Sequence, residues 1–418
     1  MRIGIQAWGS EGDIRPCLAL GAALSRAGHD VSAVVTDLGG REYEGYATEL
    51  GIQIRTVARP SANRHEQLDR LSERLIRLSP FAQGKLITRE LFAPAVPEMF
   101  QAARELCAEF DLVIGHYYQH PLRTAAEASD VPAVSVTISP NIIVSRSYPP
   151  TGVPALGPRW NQIWWHVAYR LVNRAFLPDV NKLRVEAGLP AIHTMREVWH
   201  SRLLDLVAVS PALFPAETDW DPRHKVCGFF EWPMSPQDRH LPEAVEEFLC
   251  AGDPPVFFGF GSLSPNQPLA RRQLLNLFSE AVERLGCRAI FQGLAPGMET
   301  TGHILHVGRA NHARLFPRCK VIVHHGGAGT THSAIRAGVP SVIVPHVSDQ
   351  SAWGAILHRR GVASKPIRRA KLSVRALVER VHRATDSEMR KRSENLAGQM
   401  AHENGACKAA AFVNALLK

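Results

Sequence analysis

The chain has 418 residues, 45% of them hydrophobic, which is enough for two single-core domains. Its 48 Lys and Arg against 39 Asp and Glu give a formal net charge of +9, which favours anionic partners such as phosphates or acidic lipid. The basic residues are dispersed without stacking aromatics, which disfavours nucleic acid, and no apolar run approaches the roughly 20 residues of a membrane-spanning helix.

The N-terminus passes from "MR" into a short apolar strand with no signal-peptide pattern. Seven cysteines, with no CxxC pair and no metal-ligand spacing, read as ordinary thiols of a reducing cytoplasm. "RIGIQAW" reads as a buried strand, and "PCLALGAALSRAGH" as a helix with Pro16 near its start and Gly28 at its end. Between them, "WGSEGDIRP" joins two glycines and Ser10, suited to a phosphate, to Glu11 and Asp13, which repel one. "DVSAVV", "DLVIG" and "PAVSVTI" are further strands, the last two separated by the helical "PLRTAAEA".

This alternation predicts a doubly wound parallel sheet, whose ligand crevice lies beyond the carboxyl ends of the strands. "GSEGDIRP", "HYYQH" (116–120) and "SPN" (139–141) all follow strands and are expected to meet there. His116, Tyr117, Tyr118 and His120 can line such a pocket, although Tyr and His at strand ends often only pack. "RWNQIWWHVAYRLVNRAFL" is helical. Packing between domains is the first expectation for its aromatic residues, ahead of an acceptor wall or a membrane contact. The Pro-rich stretch of about 211–255 reads as an irregular connection. A second alternating series follows through "PVFFGFGS", a helix, "RAIFQ", "HILHVG", "VIVHHGG" and "SVIVP". The expected domains are 1–215, a connection 216–254, 255–400, and a closing helix 401–418.

The most informative stretch is "VHHGGAGTTHSAIRAGVPSVIVPHVSDQ" (323–350). Here a strand turns through glycines into a helix start, where free N–H groups and a partial positive charge form an anion site from backbone alone. His325 and Thr330 can add side-chain donors. The stretch is neither a Walker loop nor GxGxxG, and its plain alternative is a tight strand–helix turn. Asp349 and Gln350 fall on a neighbouring loop and suit vicinal hydroxyls, or a helix cap. "GFGS" brings Ser262 to the same side.

Those residues, with "GSxGDxxP" at 9–16 and "WG" at 353–354, resemble the GT-B glycosyltransferases that use nucleotide sugars, in particular the sterol and antibiotic glycosyltransferases. The resemblance covers both halves. It implies two Rossmann-like domains facing across a cleft, with the acceptor held by the first and the nucleotide-diphospho-sugar by the second. His325 and Thr330, with backbone at Gly327, Ala328 and Gly329, are then expected to hold the diphosphate. Asp349 and Gln350 are expected at the sugar hydroxyls, Ser10, Gly12 and Ser262 near the phosphates, and the segment from Arg309 through Asn311 to His312 at base and ribose. His116, Tyr117, Tyr118 and Trp353 are the expected acceptor contacts.

The resemblance also implies inversion at the anomeric carbon, without a metal and without a cofactor beyond the co-substrate. Asp13, ionised near neutral pH, is the expected general base, with a helix N-cap as the alternative role. Glu11 stands where many relatives carry Arg, which shifts the expected donor contacts toward the second half. "DWD" (219–221) imitates a metal motif but lies in the connection, so no metal is assigned. UDP-glucose is the default donor and a dTDP-deoxysugar the second. The acceptor is a lipophilic alcohol such as a sterol, terpenoid or polyketide, the location cytoplasmic, with peripheral membrane contact as a further expectation. A nucleotide-sugar epimerase and a non-catalytic partner protein are the rival readings. The aromatic N-terminal half argues against the first, and the presence of Asp13, His325, Asp349 and Gln350 against the second.

Overall fold

The computed structural model describes residues 1–59, 64–233, 240–261, 268–294, 299–308 and 310–416. The chain divides into two compact units, one of Met1–Ser61, Pro80–Pro233 and Glu403–Lys418, the other of Ala62–Ser79 and Met234–His402.

The first unit is built on seven parallel strands: β1 (Arg2–Gly9), β2 (Asp30–Asp37), β3 (Gln53–Thr56), β4 (Leu112–His116), β5 (Ala133–Thr137), β6 (Asp205–Val207) and β7 (His224–Val226). Their spatial order is β3-β2-β1-β4-β5-β6-β7. The chain builds outward from β1 in one direction and then resumes at β4 on its other side. The crevice at this reversal of direction opens between the ends of β1 and β4. The helices that matter here are α1 (Glu11–Arg26), α2 (His120–Ala128) and α3 (Pro158–Glu186).

The second unit holds β8 (Val256–Gly259), β9 (Ala289–Gln292), β10 (Glu299–Thr301), β11 (Ile304–Val307), β12 (Val321–His324) and β13 (Ser341–Ile343), in the order β10-β11-β9-β8-β12-β13. All pairings are parallel except β10 with β11. Its reversal lies between β8 and β12. Around it stand α4 (His312–Leu315), α5 (Ala328–Arg336) and α6 (Ser348–Arg359). The last helix, α7 (Gly405–Leu416), belongs to the first unit, where Ala406, Ala409, Ala410 and Val413 share a core with Ile14 and Leu18 of α1.

Alternation along each strand explains the continuous apolar runs in the sequence. Phe258 and Val323 feed one core of the second unit, while Phe257 and Ile322 feed the core on the opposite face. The stretch 211–255, expected to be irregular, contributes β7 and a helix over Glu243–Cys250. A strand of three residues carries too little pattern to stand out beside its prolines.

Candidate functional site

In the second unit, β12 runs into His325, then Gly326 (φ +90°), and α5 starts after Gly327. Among the described residues no side chain caps α5, and its first turn holds no acidic residue. Its first N–H groups and the positive end of its dipole therefore remain available to an anion. The His325 ring lies directly over this turn. A Cβ on Gly327 would fall 2.5 Å from its Nε2, and one on Gly261, beyond β8, 3.0 Å from its Cε1. Only glycine at 327 lets the imidazole and the helix start approach so closely. Burial pushes the His325 pKa down to about 4, against a backbone bond at Gly259 that raises it, so the ring is neutral near pH 7.

The loop before α6 packs against this turn, since a Cβ on Gly326 would meet the Gln350 carbonyl oxygen at 3.0 Å. Gln350 is 4% exposed, and its Oε1 accepts the N–H groups of His346 at 2.8 Å and Val347 at 3.2 Å. It thus caps α6 through its amide oxygen, the N–H₂ end taking no part in the cap. Burial raises the pKa of Asp349, against first-turn N–H bonds that lower it. The structure therefore brings His325, Gly327, Ala328, Gly329, Thr330, Asp349 and Gln350 together.

One member of this group was not legible in the sequence. Arg369 holds its guanidinium 5.8 Å from the Phe260 ring, which is itself 4.7 Å from the ring of His346. Burial lowers its pKa, and among the described residues no carboxylate pairs with it. A partly desolvated cation without a counter-charge suits an anionic ligand. "IRRAK" shows a basic run but not which side chain turns inward.

In the first unit, β1 ends at Gly9 (φ +138°), where a Cβ would fall 2.4 Å from Asp13 Oδ2. Ser10 is the N-cap of α1, and Asp13, in the third helical position, accepts the Ser10 N–H at 2.8 Å and the Ser10 hydroxyl at 2.9 Å. Asp13 is therefore the reciprocal partner of the cap rather than the cap itself. Its other oxygen lies 3.9 Å from His116 Nε2. Burial pushes His116 down to about 3, so it is neutral near pH 7. Ser10 is bonded to Asp13 and Gly12 lies inside the helix, both expected near phosphate. Glu11 pairs with Arg15 at 2.8 Å and Arg41 at 2.7 Å. Beyond His116 the rings of Tyr117, Tyr118, Trp8, Phe92 and Trp199 form one aromatic group, with Tyr118 stacked on Trp8 at 5.7 Å.

Other expected residues have local roles. Asn311 caps α4 by accepting the Ala313 N–H at 2.9 Å. Trp353, expected at an acceptor, is wholly buried edge-on to His332, so it has no surface to offer a ligand. Asp219 of "DWD" holds the Ser145 hydroxyl and the Arg146 N–H. Ser262 and Arg309 lie outside the described residues. Among the described residues one His/Asp group has metal-ligand proximity, His200, Asp205 and His224. The buried Asp205 carboxylate already faces four donors, Ser135 and Thr137 on one oxygen and the two imidazoles on the other. These bonds satisfy it as a strut between β5, β6 and β7.

Residues 299–415 match the family model described as the C-terminal domain of erythromycin biosynthesis protein CIII-like proteins. The chain is 30% identical over 428 residues to O-mycaminosyltylonolide 6-deoxyallosyltransferase of Streptomyces fradiae, covering 97% of this chain and 95% of that one. A sterol 3-beta-glucosyltransferase of Arabidopsis thaliana is 36% identical over 200 residues, which are 47% of this chain and 31% of that protein. Among solved structures, the kitacinnamycin glycosyltransferase superposes with a TM-score of 0.73 at 18% identity, over 100% of this chain and 99% of that one.

Proposed function

Since the chain belongs to the glycosyltransferase family that includes antibiotic and sterol glycosyltransferases and has the GT-B fold, we propose that it is an inverting hexosyltransferase acting on a hydroxyl of a lipophilic acceptor. Two observations together carry this reading: an uncapped, acid-free helix start under His325 in one unit, and a carboxylate held beside an aromatic group in the other.

The diphosphate of the donor is bound by the first N–H groups of α5, by Thr330, by neutral His325 as a donor, and by Arg369. Asp349 and the Gln350 amide contact the sugar. Asp13 takes the acceptor proton through the oxygen not engaged by Ser10. As that O–H bond breaks, the acceptor oxygen bonds to the anomeric carbon, and the nucleoside diphosphate leaves with the electron pair of the glycosidic bond. No metal is needed in this scheme, because the leaving charge meets backbone N–H groups and a guanidinium.

UDP-glucose is the first donor to test, since Asp349 and Gln350 suit a sugar with its hydroxyls intact. A dTDP-deoxysugar is the second, and the 6-deoxyallosyl transfer of the Streptomyces fradiae relative favours it. Thermal-shift measurement with UDP, dTDP and their sugars tests the reading, because a ligand of the folded state raises the melting temperature. A shift with at least one series, unchanged by chelator, is expected. No shift with any nucleoside diphosphate would exclude the donor site.

A further inference from the structure

Helix α3 carries apolar side chains on two faces, and only one of them is covered. On the packed face, Trp165 donates to the Tyr148 carbonyl at 2.9 Å, and Tyr169, Val172, Phe176, Leu177 and Val180 pack with Ile192, Met195, Val198 and Trp199. The buried Arg184 guanidinium grips Glu127 of α2 through two bonds, at 2.7 Å and 2.9 Å, and so locks the C-terminal end. The helix is thus already seated in its own unit.

The other face exposes Trp160 (52%), Ile163 (49%), Val167 (43%) and Leu171 (47%), preceded by Leu156 (56%). Their spacing of three and four residues makes one continuous stripe. Scattered exposed hydrophobic residues need no explanation, but a row along three turns marks a contact surface. Arg159, His166, Arg170 and Arg174 are exposed on the same helix, and no acidic residue occurs from Leu156 to Pro178. None of these three arginines has an ion pair among the described residues.

We propose that this face of α3 docks the protein onto an anionic lipid surface. The stripe would enter the boundary between headgroups and acyl chains, with the arginines at lipid phosphates, as in helices that lie in the interface plane. Charge argues for lipid over a second copy of the chain. Two copies joined through this face would set arginine against arginine, with no carboxylate on the stripe to pair them. Among the described residues no helix is long and apolar enough to cross a membrane, so the contact is peripheral. The inference does not depend on the identity of the donor sugar.

Co-sedimentation of the full chain tests it, with vesicles of phosphatidylcholine mixed with phosphatidylglycerol and with phosphatidylcholine alone. Binding to the mixed vesicles is expected to weaken as salt rises and to be at least about tenfold weaker without the anionic lipid. Replacing Trp160, Ile163, Val167 and Leu171 by Ser should abolish it with the melting temperature retained. R170E/R174E should weaken it about tenfold or more, because two headgroup attractions become repulsions while the apolar stripe stays intact. No binding by the parent protein, equal binding to neutral vesicles, or a dimer in buffer that the Ser variant disperses would each overturn the proposal.

Discussion

Two helices start in the same way and end up suited to opposite charges. In α1 the cap and first three positions are Ser10, Glu11, Gly12 and Asp13; in α5 they are Gly327, Ala328, Gly329 and Thr330. Both follow the inner strand of a reversal point and a glycine with positive φ. Asp13 fills the first turn of α1 with a carboxylate bonded to Ser10, and Glu11 adds a second that two arginines neutralise. Thr330 stands in the place of Asp13 and leaves the start of α5 open. Acid for hydroxyl at the third helical position, with Glu11 against Ala328 at the first, separates the proposed proton acceptor from the proposed anion site.

Removing the charge from Asp13 breaks the comparison from the first side. D13N is expected to lower kcat by about 10²–10⁴, while Asn can still accept from Ser10 and keep the helix start. Donor affinity should hardly move. A variant keeping more than about a tenth of the parent rate at saturating donor would leave Asp13 a capping residue only. Adding the charge to the other helix is the converse. T330D is expected to cost about a hundredfold or more in affinity for a nucleoside diphosphate, since like charges at a binding site cost several kcal/mol. A carboxylate suits a helix N-terminus, so the melting temperature of the free protein should hold or rise. Isothermal titration together with thermal melting separates these outcomes, and unchanged affinity would move the diphosphate away from α5.

R369Q is expected to weaken donor binding about tenfold, with a smaller dependence on salt, because one charge-assisted contact is lost. Equal affinity in parent and variant would return Arg369 to a packing role over Phe260. The smallest effect concerns pH. With His325 held down to about 4, the ring stays neutral from pH 6 to pH 8. UDP-glucose has no titrating phosphate there, so its affinity should change by less than about threefold across that range. Any tightening from a protonated imidazole should appear only as the pH falls toward 4. A midpoint near 6.5 in the binding curve would show that the site is wetter than its burial indicates.

The turns were legible because their chemistry is local. Gly326, Gly327 and Gly329 with Thr330 mark a strand–helix junction wherever they occur, and the matching pattern at 9–13 gave the second one. The alternation of strands and helices likewise gave most of both sheets, but not β3, β6, β7 and β10, which are only three or four residues long. The role of Gln350 was less legible, because a side chain that caps a helix and one that grips a sugar obey the same residue preference. Trp353 went astray for a related reason, since a tryptophan after a motif reads the same whether it faces a pocket or the core. Arg369 and Trp199 could not be read at all, as their places depend on packing against Phe260 and Tyr118, far away in sequence. For α3 the aromatic residues were visible and their division was not. Trp165 is buried within its own unit while Trp160 stands in solvent.

The return of α7 to the first unit has a consequence for how the protein is made. Ala406, Ala409, Ala410 and Val413 complete the core around Ile14 and Leu18, yet they leave the ribosome only after the whole stretch from Met234 to His402 has been synthesised. The first unit to emerge is thus the last that can close, with one side of α1 bare in the meantime. Domains ordinarily fold in the order in which they emerge. Here the second unit can be complete before the first, and limited proteolysis of ribosome-arrested chains stopped before Gly405 should find the N-terminal sheet cut more readily than the C-terminal one.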